Sequence, residues 1–156
     1  MSKPMTADES PYTVRLASAP EDLTAAQHLR YQVFVEELGG DGPLVDHANR
    51  LERDAFDPLF DHLLLVDRRI DPATRTHVIG AYRVLPSDRR AAVGRFYSET
   101  EFDLTPLLAS GRRLLELGRS CVQADHRGGT SMFLLWNGLA EYVLDRGIDI
   151  LFGAAS

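Results

Sequence analysis

The chain is short of several things, and each shortage excludes something. Its 156 residues include one cysteine, Cys121. No intrachain disulfide can form, and such a chain suits a reducing compartment. No apolar run reaches the roughly 20 residues that a membrane-spanning helix needs. Met1 to Ser10 is polar and lacks the apolar region of a secretory signal, so residues 1–10 read as a disordered lead. One domain is then expected over residues 11–156. Positive charge is scarce too: 17 Lys and Arg stand against 23 Asp and Glu, a net charge of −6. Nucleic acid is an unfavoured partner, because phosphate contacts need a concentrated basic face. Arginine doublets at Arg68-Arg69, Arg89-Arg90 and Arg112-Arg113 read first as solvated turn residues. Internal repeats and low-complexity tracts are absent.

What is present is a regular alternation of elements. Tyr12 to Ala17 alternates like a strand. Ser18-Ala-Pro20-Glu21 reads as a capping box opening a helix, and Gly39-Gly40 ends it. Its expected inner face carries Leu23, Ala26, Leu29 or Arg30, Val33, Phe34 and Leu38. Residues 41–61 read as a long acidic loop, and a loop of that length in a compact domain is often functional. His62–Asp67 and His77–Leu85 read as an antiparallel hairpin. Ser98-Glu-Thr-Glu101 looks like a second capping box before a short helix. Leu114–Val122 reads as a strand. Arg127-Gly128-Gly129 then leads into a helix with Met132, Phe133, Leu135, Trp136, Leu139, Ala140 and Val143 facing inward, closed by Gly147. Ile148–Phe152 is the last expected strand. A strand, helix, strand crossover at 114–152 requires a parallel pair, whereas the hairpin is antiparallel. The fold class is therefore α/β in its mixed-sheet form, with helices packed on the sheet.

Within these elements, charges sit where charges rarely stay unless paired or used. Glu116 and Arg119 lie in an apolar strand with Leu114, Leu115, Leu117 and Val122. Their odd spacing puts them on opposite faces of a regular strand. A bulge at Gly118 would bring both to one site; a structural ion pair at the sheet edge is the plainer reading. Arg30, Asp54, Asp57 and Arg83 add further charge in apolar surroundings. Two carboxylates around Phe56 suit an ammonium group. They lack the regular acidic pattern of a calcium loop, and no metal site is expected. Arg127-Gly128-Gly129-Thr130-Ser131 offers backbone amides at a helix start, where anions bind, but it has no Walker lysine; a plain turn is the commoner use of such glycines. Cys121, flanked by apolar residues, reads as inert core.

Several segments together carry a resemblance. They are Leu29-Arg30-Tyr31-Gln32-Val33-Phe34, Asp54-Ala-Phe-Asp57, Tyr82-Arg83-Val84-Leu85, Phe96-Tyr97-Ser98-Glu99 with Glu101-Phe102-Asp103-Leu104, Leu115-Glu116-Leu117-Gly118-Arg119-Ser120-Cys121-Val122, and Leu135-Trp136 with Gly138-Leu139. In this order they resemble the ornithine Nα-acyltransferases of ornithine-lipid synthesis, bacterial enzymes of the GNAT acyltransferase superfamily. The same skeleton is similar to the acyl-homoserine-lactone synthases. Their shared positions fall on Arg30, Phe34, Asp54, Asp57, Arg83, Phe96, Glu116 and Arg119.

The resemblance implies a GNAT-like fold and direct transfer of a fatty acyl chain, 3-hydroxylated, from acyl carrier protein to the α-amine of ornithine. The product would be a lyso-ornithine lipid. Glu116 is implied as proton acceptor, with Arg119 beside it in the catalytic set. Arg30, Phe34, Asp54, Asp57, Arg83 and Phe96 would shape the acceptor site. Val122, Arg127, Gly128, Gly129 and Thr130 would receive the acyl-phosphopantetheine arm. No permanently bound cofactor is expected. Implied partners are acyl carrier protein, ornithine and a membrane surface in peripheral contact; separately, an unpaired last strand would invite pairing with a second copy. The implied location is the cytoplasm or the inner face of its membrane. Two departures stand out. The usual pyrophosphate loop is degenerate at Arg127, Thr130 and Met132, which suits a carrier-protein donor. The family's pattern also continues beyond Ser156, so the domain is expected to be incomplete at its C-terminus. The alternatives are a synthase that uses S-adenosylmethionine, an acetyl-CoA-dependent acetyltransferase, and a non-catalytic binding fragment.

Overall fold

The computed structural model describes residues 10–153. The expected lead lies outside the described residues except for Ser10, which is buried and accepts the Tyr12 amide through its hydroxyl. The chain runs β1 (Tyr12–Leu16), α1 (Pro20–Arg30), β2 (Val45–Asp46), β3 (Leu51–Glu52), β4 (Asp61–Asp67), β5 (Val78–Pro86), α2 (Arg90–Val93), α3 (Thr105–Ala109), β6 (Leu114–Val122), α4 (Gly129–Asp145) and β7 (Ile150–Phe152). The main sheet is ordered β1-β4-β5-β6-β7. All its pairs are antiparallel except β6 with β7, as the crossover demanded. The long acidic loop contains a small hairpin, β2 with β3, too short to show any periodicity in sequence.

One helix covers each face of this sheet. α1 packs Ala25, Ala26 and Leu29 against Leu64, Val66, Val78, Ala81 and Cys121. α4 packs Leu135, Leu139 and Tyr142 against Leu63, Leu65, Ile79, Val84 and Leu115. A third cluster at one end joins Phe60, Leu85, Phe96 and Leu114.

The helix starts differ from the expected capping boxes. Asp22, one position past Glu21, accepts the Ser18 and Ala19 amides at 2.9 and 3.3 Å, and Arg15 clamps it from below at 2.8 Å. Pro20 in the first turn has no amide to lose. The second box belongs to Glu99, which accepts the Phe96 amide at 2.5 Å, while Asp103 caps α3 through the Thr105 amide at 3.0 Å.

α1 then passes into a wider π-helical segment, Tyr31–Glu37, in which the Leu38 amide reaches back five residues to the Val33 carbonyl at 3.1 Å. The extra residue per turn rotates the apolar stripe, so Leu38 is exposed rather than inward. On α4, Phe133 and Trp136 are also exposed, at 63% and 60%. Leu135, Leu139 and Tyr142 occupy the inward stripe instead, and Ala140 faces out. Gly147, at φ 61°, ends α4 as expected.

Candidate functional site

Asp57 sits on a 3₁₀ turn just before β4 and is fully buried. Its carboxylate accepts Arg30 Nη1 and Nη2 at 3.0 and 2.8 Å, Arg83 Nη1 at 2.8 Å and Gln27 Nε2 at 3.0 Å. Arg83 Nη1 also donates to Asp54 at 2.7 Å, and Asp54 in turn accepts the Phe56 and Asp57 amides, each at 3.0 Å. Gln27 lies one helical turn before Arg30, so α1 presents both to the loop from one face. Burial alone would push Asp57 up. The bonds and charge of Arg30, helped by Arg83 and Gln27, overcome this and hold it well below the usual carboxylate range. His62 donates Nε2–H to the Asp57 carbonyl at 2.7 Å, and burial lowers its pKa. Arg30, Asp54, Asp57 and Arg83 thus form one lattice that pins the acidic loop to α1 and β5.

Glu52 and Arg119 stand at the edge of this lattice. Glu52 accepts Arg30 Nη2 at 3.3 Å, and its Oε2 lies 3.6 Å from Arg119 Nη1. Arg119 owes its position to a bulge in β6. Ala81 pairs with Cys121 and Arg83 with Gly118, so Tyr82 alone opposes Arg119 and Ser120. The left-handed residue is Arg119, at φ 47°, rather than Gly118. Leu115 and Leu117 face α4, which leaves Glu116 on the opposite, α1 face. The inserted residue returns Arg119 to that same face, where its guanidinium lies 5.7 Å from the centre of the Phe34 ring.

No ion pair joins Glu116 to Arg119 among the described residues. Each Glu116 oxygen instead accepts a backbone amide, from Tyr97 at 2.9 Å and Ser98 at 2.7 Å. Phe96, the residue before them, is fully buried edge-on to Phe152 at 4.9 Å.

The second half of the site is a sheet edge. β7 pairs only with Leu114–Glu116, so β6 beyond Leu117 has no strand neighbour on that side among the described residues. Val122 ends this stretch, and its carbonyl accepts Arg127 Nε at 3.0 Å. Arg127 also pairs with Glu37 through both terminal nitrogens. Gly128 and Gly129 follow with φ of 81° and 55°, a backbone shape that favours glycine, and Thr130 lies in the first turn of α4. Cys121 is buried, and burial pushes its thiol up to about 12. Among the described residues, no group of three or more His, Cys, Asp or Glu could hold a metal ion. An open depression of about 830 Å³ lies across the 43–55 loop, and it touches the lattice only through Asp54.

The expected site residues therefore fall into groups. Arg30, Asp54, Asp57 and Arg83 bond to one another. Phe34 and Arg119 meet at the lattice edge. Glu116 lies on the same strand, tied to the Tyr97-Ser98 turn. Val122, Arg127, Gly128, Gly129 and Thr130 cluster at the far end of β6. Phe96 belongs to the core. Sequence reading passed over Gln27 and Glu52, although Glu52 lies two residues before Asp54 and Gln27 three before Arg30.

The site is built on a mixed sheet whose penultimate strand, β6, is bulged and partly unpaired along one edge, with a glycine turn opening the helix that follows. The family model of the acetyltransferase (GNAT) domain matches residues 29–137. The chain belongs to the GNAT acetyltransferase family. Within it, the L-ornithine N(alpha)-acyltransferase of Rhodobacter capsulatus is 62% identical over 145 residues, covering 93% of this chain and 56% of that protein. The enzyme of the same name from Rhizobium meliloti is 40% identical over 146 residues, covering 91% of this chain and 49% of that protein. This GNAT chain thus spans about half the length of the curated relatives it matches. A solved CoA-dependent acyl-homoserine lactone synthase, BjaI, with SAM and isopentyl-CoA, shares the fold at TM-score 0.63 and 24% identity, over 91% of this chain and 65% of that one. The mixed α/β GNAT fold and the family resemblance read from the residues are both found.

Proposed function

We propose that this GNAT domain transfers a 3-hydroxylated fatty acyl group from acyl carrier protein to the α-amine of L-ornithine, giving a lyso-ornithine lipid. The observation that carries this reading is the 62% identity to an L-ornithine N(alpha)-acyltransferase over a stretch that takes in every candidate site residue. The geometry fits it. The acceptor would sit where Arg119 and Glu52 edge the ionic lattice, with its carboxylate on Arg119. The donor's phosphopantetheine arm would lie along the unpaired edge of β6, with its phosphate at the Gly128-Gly129-Thr130 start of α4. The amine lone pair attacks the thioester carbonyl carbon, a β6 amide near the bulge takes the oxyanion, the carbon–sulfur bond breaks and the sulfur leaves as a thiolate that takes a proton from solvent. Glu116 is the proposed proton acceptor. Backbone amides occupy two of the roughly four acceptor sites of its carboxylate, leaving it both fixed and able to take a proton.

The test is one reaction containing the folded chain, 3-hydroxyacyl carrier protein, ornithine and S-adenosylmethionine, read by mass spectrometry. Acyl-ornithine is expected. Acyl-homoserine lactone would move the chain to the sister activity. Neither product from a chain that melts cooperatively would overturn the reading for these 156 residues. Glu116→Gln should lower turnover about 100-fold or more. Near-normal turnover would remove Glu116 as the base.

A further inference from the structure

Among the described residues, Glu52 holds the one buried carboxylate oxygen of this site that accepts no hydrogen bond. The residue is 3% exposed, yet its Oε2 has no hydrogen-bond partner among the described residues. A buried carboxylate oxygen in that state is costly, and such an atom calls for a missing donor. The surrounding charges say what the donor is. The charges of Arg30 and Arg83 are matched by Asp57 and Asp54 within hydrogen-bonding distance of their terminal nitrogens, although each Nε lacks a partner among the described residues. Glu52 and Arg119 remain as an incomplete pair, too far apart at 3.6 Å for a hydrogen bond. Arg119 is partly exposed, at 32% of its side chain, whereas Glu52 lies behind it. A ligand entering from solvent meets a cation first and an unsatisfied anion beyond it. That order suits a short molecule with a carboxylate at one end and an ammonium at the other.

We propose that Glu52 Oε2 receives the side-chain ammonium of the acceptor and so selects a diamino acid over a neutral amino acid of the same length. The identity of the acceptor rests on the acyl-transfer reading given above, and so does the choice between its two amines. The attacking α-amine must give up its proton, a step the reading above assigns to Glu116, which leaves the side-chain amine for Glu52. The side-chain amine stays charged throughout, so a fixed carboxylate serves it at no cost to the reaction. Glu52 is therefore a specificity residue, and Arg30 positions it by occupying Oε1.

The experiment is calorimetric titration of the purified chain with L-ornithine and with L-2-aminopentanoate, which has the same head and chain length but no terminal amine. The wild type should bind ornithine about tenfold or more tighter than 2-aminopentanoate. Glu52→Gln keeps an acceptor oxygen for Arg30 and removes the charge. It should weaken ornithine about tenfold and leave 2-aminopentanoate unchanged. Glu52→Asp, which shortens the reach, should weaken ornithine selectively as well and serves if the glutamine variant fails to melt cooperatively. Equal weakening of both ligands, no weakening of either, or a wild type that does not prefer ornithine would each overturn the assignment. A wild type that binds ornithine selectively through Glu52 but transfers no acyl group would refute the acyl-transfer reading and leave Glu52 in place.

Discussion

Asp57 shows how one buried carboxylate can hold the candidate site together. Its carboxylate takes donors from α1, β5 and its own loop, and none of its surface reaches solvent. Removing its charge leaves Arg30 buried beside Glu52 alone. Asp57→Asn should therefore cost about 3–5 kcal/mol of stability, read as a lower midpoint in urea. A loss under about 1 kcal/mol would mean that the lattice is not what fixes the loop. The pH dependence follows from the direction of the shift. The folded carboxyl sits below its unfolded value of about 3.9, so its contribution is whole above that pH and is lost as the pH falls towards the lower folded value. The wild type should lose stability steeply below about pH 4, and the asparagine variant should show a shallower slope there.

Close packing of α4 across the far face of the sheet is the corresponding demand at the level of elements. Gly138 lies against β1, and a Cβ built there would stand 2.3 Å from Val14 Cγ1 and 3.2 Å from Val14 Cβ. Rotating Val14 moves only the first of these atoms, so the helix itself must shift. Alanine gains about 1 kcal/mol in helix propensity, whereas overpacking costs about 1–3 kcal/mol, so Gly138→Ala should be destabilising on balance. In a double-mutant cycle Val14→Ala, which removes the nearer atom and keeps Cβ, should relieve part of the cost. Additive effects of the two changes would show that the contact is not strained.

The elements themselves were largely legible, because β4, β5, β6 and α4 are long enough to display their periods. Three things were not. The π-helical segment after Arg30 shifts the apolar stripe within a single turn and leaves no mark in the pattern, so Leu38 was misplaced. The exposed Phe133 and Trp136 on α4 look like core residues to any count of apolar spacing. The β6 bulge was expected at Gly118 because glycine tolerates a left-handed backbone, but the strain sits on Arg119 and is kept there by contacts distant in sequence. In the site, the charges of the lattice were conspicuous. Glu52 was not, because its significance lies in a bond it fails to make.

At the scale of the whole molecule, net charge is the question for a donor carried on an acidic protein. This chain carries −6 and would repel such a partner unless cations gather locally. The arginine doublets divide sharply on this point. Arg69 pairs with Asp67, Arg89 with Asp61 and Arg90 with Glu99. Arg112 makes no ion pair among the described residues, and Arg113 reaches only Asp88 at 3.8 Å. Both are exposed just before β6, at the end of the strand away from the Gly128-Gly129-Thr130 turn proposed for the donor's phosphate, so they test whether the carrier's footprint extends along the strand. If acyl carrier protein docks there, reversing both charges should raise the KM for the acylated carrier about tenfold and leave kcat at saturating carrier unchanged. Raising ionic strength should weaken the wild type towards the variant, since exposed charges are screened over about 8 Å at physiological salt. An unchanged KM would exclude this pair, and a KM insensitive to salt would exclude electrostatic docking altogether.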